Sequence, residues 1–305
     1  YISRDRGRTW GFHNIMAIGQ FYDVGVDTRL PYRVYGGLQD NGSWGGPSRK
    51  RGSVGPLNSD WLRIGGGDGF ICRADPNDPD VVYAEMQYGR FWRVNVATGA
   101  RATLKTPTPL GKKPRFNWKA PFLLSHHNSR IYYNAGNFVF RSLNRGDKLE
   151  AISPQISRTD RGTATALAES PRDAKVLWVG TDDGALWITR DGGSKWVNIT
   201  EKVGMKGNYQ VNAIEASRYA DGRAYVAFDG HRSDNDDPHI YVTEDYGATW
   251  EALNANLPSG STRCVREDAV NENLLYCGTE FGIWASLDRG AHWTHINSNL
   301  PTVAV

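Results

Sequence analysis

The 305-residue chain predicts an all-β fold, a seven-bladed β-propeller of four-stranded antiparallel blades, and three observations predict it. The first is a turn motif, Ser/Thr-x-Asp-x-Gly-x-x-Trp, found five times and centred on Asp5, Asn144, Asp191, Asp245 and Asp288; the second copy carries Asn for Asp and Leu149 for Trp. The Asp carboxylate can fold back to accept backbone N–H bonds, and the Gly supplies a positive φ. The Trp then starts a strand and buries a large ring. The second observation is the period. Asn144 to Asp191 is 47 residues, Asp191 to Asp245 is 54 and Asp245 to Asp288 is 43. A four-stranded blade takes roughly 40–50 residues. Asp5 to Asn144 is 139, which reads as three such steps with two cryptic repeats and gives seven blades over a single domain, 1–305. The third is composition: 11 Trp, 34 Gly and 14 Pro favour short strands and turns, and no long stretch has helical spacing.

The blades can be laid out in order. The first shows only its outer half, Tyr1 to Ser3 and Thr9 to Phe12. Thr302 to Val305 is expected to return as its inner strand and close the ring, leaving its second strand unaccounted for. The two cryptic blades begin at Phe21 and Phe70, where β-branched and aromatic runs alternate with Gly- and Pro-rich turns. A fourth starts at Phe122. The clearest is the fifth: Thr165 to Ala168, Val176 to Gly180, Ala185 to Thr189 and Trp196 to Thr200. The same grammar recurs from Asn212 and from Arg263. The opening inside a hairpin and the end at the start of a strand suggest a piece of a longer, multi-propeller polypeptide.

Net charge is only +3, and the basic clusters Arg49–Arg51 and Lys112–Lys113 sit in Gly/Pro-rich loops, so no nucleic-acid surface is expected. No run of 18 apolar residues exists, which excludes a membrane-spanning helix. The three cysteines lack metal-ligand spacing. Cys264 and Cys277 flank the turn Ala269 to Asn273 and are placed to lie opposite each other, as a cross-strand disulfide or as two buried thiols.

Strand direction alternates, so the loops sort onto two faces. The aspartate turns join third to outer strands on one face. Loops after second strands and loops after outer strands share the other, where a propeller's channel mouth takes ligands. That face should carry Asp40, Asp68, Gln87, Arg115, Trp118, Asp182, Asp183, Asp229, His231, Arg232, Glu280 and Phe281. Aromatics beside polar groups suit sugars or peptide segments. Asp234, Asp236 and Asp237 crowd one loop and offer oxygen ligands to a calcium ion, though a solvated acidic loop fits as well; no other cofactor is expected.

The repeated turn resembles the Asp-box, or bacterial neuraminidase repeat, of sialidases, sortilin-type receptors and two-propeller xyloglucan endoglucanases. The strings Tyr35 to Trp44, Arg63 to Phe70, Arg115 to Trp118 and Val226 to Arg232 resemble large secreted bacterial sortilin-like or glycosyl-hydrolase-like repeat proteins. The resemblance implies an exported, extracellular or periplasmic protein. A sialidase is disfavoured, because its Arg-Ile-Pro signature is absent and Arg29-Leu-Pro31 sits between an inner and a second strand. Ile64 to Gly89 is similar to the region where the endoglucanases place a catalytic aspartate, but the matching position is Gln87, which cannot ionise. Asp40, Asp182, Asp229 and Glu280 remain as candidate acids and bases for a glycosidic bond, or as caps of their own turns. The expectation is therefore a recognition or scaffold propeller for carbohydrate or protein partners, including other domains of a longer chain or a larger assembly. An endo-acting glycoside hydrolase is the alternative.

Overall fold

In the computed structural model, which describes residues 2–11, 19–52 and 55–305, the chain forms six antiparallel sheets of four strands each. They span 21–65, 69–104, 122–151, 164–198, 210–252 and 262–295, called sheets one to six in chain order. Within every sheet the strands are hydrogen-bonded in sequence order, so each is a meander running from an inner to an outer strand. The fold is an all-β propeller.

Six blades replace the seven expected. The N-terminal motif yields one isolated bridge, Ile2 to Gly11, rather than a sheet; Tyr1 and Phe12 of its expected strands lie outside the described residues. Residues 302–305 form no strand. Instead the Val305 N–H donates to the Thr279 carbonyl at 3.0 Å, and the tail lies along sheet six. Gly278 makes this possible, since a Cβ there would meet the Val305 oxygen at 2.2 Å. The miscount has a physical origin. An aspartate turn reports one hairpin, and a hairpin can exist without the two inner strands that complete a blade.

Packing follows from period-2 alternation, which gives each sheet two faces. Five apolar clusters join consecutive sheets. Tyr35 and Ile64 meet Val82 and Trp92 between sheets one and two. Tyr83 and Phe91 meet Phe122 and Tyr132 between two and three. Ala135 and Val139 meet Ala164 and Val179 between three and four. Trp178 and Ile188 meet Val211 and Phe228 between four and five. Tyr225 and Val242 meet Val265 and Trp293 between five and six. Each fully buried side chain of this size contributes about 1.5–3 kcal/mol. Among the described residues no such cluster joins sheet six to sheet one, and Val24 and Val26 of the first inner strand stay exposed.

The register separates the two cysteines expected to pair. Cys264 is opposite Gly278, and Val265 is opposite Cys277. One residue of offset puts the two side chains on opposite faces of the sheet, and both are free thiols.

The aspartate turns repeat one hydrogen-bonding scheme. The Ser or Thr hydroxyl donates to the Asp or Asn carboxyl or amide oxygen, as in Thr243 to Asp245 at 2.9 Å, and accepts the Gly N–H, as from Gly247 at 2.9 Å. The same oxygen accepts the N–H four residues on, from Thr249 at 2.8 Å. The equivalent bonds occur around Asp5, Asn144, Asp191 and Asp288. The residue after the acid also has positive φ, 60° at Tyr246 and 63° at Arg145, a demand the motif does not advertise. The hydroxyl and amide of Thr249 hold Asp245 at about 2, below the ordinary 3.8. A depressed folded value means stability that is complete above the ordinary value and is lost as pH falls through the folded one. Asp245→Asn should therefore lower Tm at about pH 6, with the gap to wild type closing between about pH 4 and 2 in calorimetric scans.

Candidate functional site

Loops after second strands and linkers after outer strands meet on one face, stitched together by backbone bonds. The Asp182 N–H donates to the Thr163 carbonyl at 2.9 Å, Glu280 to Ser261 at 3.0 Å, Tyr88 to Trp118 at 3.3 Å and Asn137 to Arg115 at 2.9 Å. The two sets of loops therefore meet as expected, but the candidate residues on them divide into separate neighbourhoods.

The first is a cleft of about 290 Å³ between sheets four and five, lined by Thr159, Arg161, Gly162, Asp182, Asp183, Gln210, Asp229 and Arg232. Two of the four candidate acids, Asp182 and Asp229, share it. Their oxygens are already engaged. Asp182 accepts the Thr163 N–H at 2.8 Å, the Thr163 hydroxyl at 3.1 Å and the Asn117 amide at 3.0 Å. Asp183 accepts the Thr159 N–H at 2.7 Å and the hydroxyls of Thr159 and Thr181. Asp229, almost fully buried, accepts the His231 N–H at 3.0 Å and is ion-paired with Arg263. The same Arg263 guanidinium reaches Glu280, so the third candidate acid is neutralised beside the second. Arg161 and Arg232, by contrast, are exposed and form no ion pair among the described residues.

Asp40 lies apart, on sheet one. It occupies a left-handed turn position at φ 60°, and its N–H donates to Asp68 at 2.5 Å. Asp68 is thus a linker cap, nearly buried. The aromatic candidates form a second neighbourhood, where Trp118 stands edge-on to Tyr88 at 5.1 Å and to Phe70 at 6.1 Å. Both Trp118 and Tyr88 remain exposed, as does Phe281 on sheet six. Gln87, in the loop after the second strand of sheet two, and Arg115, in the linker from sheet two to sheet three, have Oε1 and Nε buried without partners, and an Arg115 Nη2 approaches the Gly162 carbonyl at 3.4 Å.

The acidic loop does not assemble a calcium site. Asp236 accepts from His231 Nδ1 at 2.7 Å, which raises the imidazole above its ordinary value, and Asp237 accepts from Asn235. Asp234 is the left-handed cap of a short 3-10 turn. Among the described residues no group of three His, Cys, Asp or Glu converges to hold a metal. Arg29 of the Arg-Leu-Pro string is likewise spent, bridging Asp27 and Asp80.

Arg161 and Gln210 line the cleft while Asn117 and Arg263 hold its carboxylates, and no motif flags them because they come from two linkers and two inner strands. Glu85 was equally silent. It lies in the second strand of sheet two, fully buried, with Oε1 accepting the Ala120 N–H at 2.8 Å and Oε2 without a partner. Burial pushes its carboxyl well above the usual range.

No protein-family model matches the sequence, and no curated protein matches it. Solved structures do. The chain is similar to a GH74 enzyme from Niastella koreensis, with TM-score 0.67 and 15% identity over 91% of this chain and 45% of that one. It is similar to the GH74 xyloglucanase from Xanthomonas campestris, with TM-score 0.63 and 14% identity over 91% and 45%. YCF48, in a structure bound to D1 peptide, has TM-score 0.59 and 12% identity over 93% of this chain and 84% of that one. These likenesses establish the β-propeller fold. The chain spans about half the length of the GH74 enzymes and most of the length of YCF48.

Two measurements probe the site's electrostatics. Arg263→Ala leaves Asp229 almost buried and uncompensated, so urea unfolding should show a loss of about 2 kcal/mol, largely recovered by adding Asp229→Asn. Glu85 has a raised folded value, so its contribution to stability is complete below the ordinary value and is lost as pH rises. Glu85→Gln should raise Tm at about pH 8, the gain disappearing near about pH 4.

Proposed function

We propose that this chain is a recognition propeller that binds an extended peptide segment of a protein partner across the face carrying the Asp182–Asp229 cleft. One observation carries the reading: the carboxylates of the cleft are committed to hydrogen bonds and ion pairs within the fold, while the guanidinium groups of Arg161 and Arg232 are free. A general acid and base need lone pairs or a proton available to substrate. Free guanidinium forks suit carboxylates and peptide carbonyls. Exposed Trp118 and Tyr88, on the same face, supply apolar contact. The peptide-bound YCF48 neighbour, matched over most of both chains, supports the same reading. The five aspartate turns favour kinship with exported Asp-box repeat proteins and hence an extracellular or periplasmic setting.

A glycoside hydrolase is the second reading, favoured by the sharing of one cleft by Asp182 and Asp229 and by the GH74 likeness. Xyloglucan and β-glucans distinguish the two. We expect no new reducing ends, and selective retention of acidic peptides from a synthetic peptide array that Arg161→Ala with Arg232→Ala weakens at least about tenfold. Hydrolysis abolished by Asp182→Asn or Asp229→Asn would sink the recognition reading.

A further inference from the structure

Four of the five aspartate turns have a seat on the preceding sheet, and the seats are built alike. A Cβ on Gly146 would meet the Leu104 side chain at 2.8 Å, and one on Gly193 would meet Ile152 at 3.0 Å. Gly247 stands in the same relation to Ile199 at 2.6 Å, and Gly290 to Leu253 at 2.8 Å. Each turn glycine thus rests on an aliphatic side chain at the outer end of the sheet before its own. At two of the three seats whose turn ends in Trp the indole completes the contact, while the Trp250 indole donates to its own Gly247 carbonyl at 3.2 Å. Trp196 Nε1 donates to the Ile152 carbonyl at 2.6 Å, and Trp293 Nε1 to the Leu253 carbonyl at 2.6 Å.

The seat residue has a backbone signature. Its N–H donates to the third strand of its own sheet: Ile152 to Val139, Ile199 to Leu186 and Leu253 to Ile240, at 2.8–2.9 Å. Ile296 does the same to Ile283 at 3.0 Å, which places it at the equivalent point of sheet six. Ile199 and Leu253 are 1% and 6% exposed, whereas Ile296 is 41% exposed. The missing partner has a counterpart elsewhere in the chain. The Asp5 turn has its full internal hydrogen bonding, yet among the described residues a Cβ on Gly7 would meet only its own Trp10 within 4 Å. Trp10 is 62% exposed, against 3% for Trp293. Among the described residues one seat is empty and one turn is unseated.

We propose that Ile296 is the docking seat of the N-terminal hairpin Ile2–Gly11, with the Trp10 indole donating to the Ile296 carbonyl. The occupant is the hairpin of the same chain, because among the described residues each copy carries one free turn for one free seat. The hairpin acts as a clasp between the two ends of the row of sheets, and the sheet count stays at six. The same turn from a second copy is the competing occupant.

Crosslinking tests this in a Cys264→Ser background. Arg8 and Ser298 correspond to Ala291 and Ala255, which line one groove at the occupied seat on sheet five. Arg8→Cys with Ser298→Cys, treated with a short bis-maleimide, should give a crosslinked monomer in yield comparable to the Ala291→Cys with Ala255→Cys control. Crosslinked dimer alone would transfer the seat to a second copy and overturn the intramolecular clasp. No product, while the control reacts, would overturn the seat itself. Independently of crosslinking, Trp10→Ala and Ile296→Ala should each lower Tm, and the double variant should fall no further than the worse single. Additive shifts would contradict the contact.

Discussion

Every sheet of this protein depends on having one face covered by the next. The outer strands are short, three of them only two residues long, and a four-stranded meander of that size holds little core of its own. The five clusters between consecutive sheets supply what the sheets lack. Stability therefore passes along the row from neighbour to neighbour, and the ends of the row are its weakest members. Sheets one and six are the two whose second face finds no cluster among the described residues.

Much of this architecture was legible because its signals are local. Alternating β-branched and aromatic residues marked the strands, and Trp178, Trp187 and Trp284 fall inside the strands where that pattern put them. The aspartate turns were equally plain, since a Gly with positive φ and an acid two residues earlier leave a fixed spacing. What failed was counting. The 139-residue interval between Asp5 and Asn144 runs from a lone hairpin through two complete sheets and three strands of a third, and spacing alone cannot tell a hairpin from the outer half of a blade. The cysteines failed for a similar reason: proximity around a turn is visible in sequence, but which face a side chain takes is decided by register, and one residue of offset parted Cys264 from Cys277.

The candidate site was legible as a surface and not as chemistry. Loop order placed Asp182 and Asp229 on one face, and the fold brings both to one cleft. Whether a carboxylate is free or spent depends on partners far away in the chain. Asn117 reaches Asp182 across 65 residues and Arg263 reaches Asp229 across 34. No spacing rule reports such meetings. Acids in Gly-rich turns usually serve their own backbone, but Asp68, Asp182 and Asp183 accept N–H groups from other loops, those of Asp40, Thr163 and Thr159. The same long-range accounting separates Glu85 from them: its second oxygen has no partner, and burial pushes its carboxyl well above the usual range.

The resting place of the chain's last residue has a practical side. The Val305 carbonyl lies over Gly278 and within 3.8 Å of the Cys264 sulfur. Burial pushes the Cys72 thiol up to about 12 and raises Cys277 as well, while Cys264 is half-buried. A thiol-reactive fluorophore on the unaltered protein would consequently report from one position, and its emission would follow the peeling away of the terminal segment from sheet six.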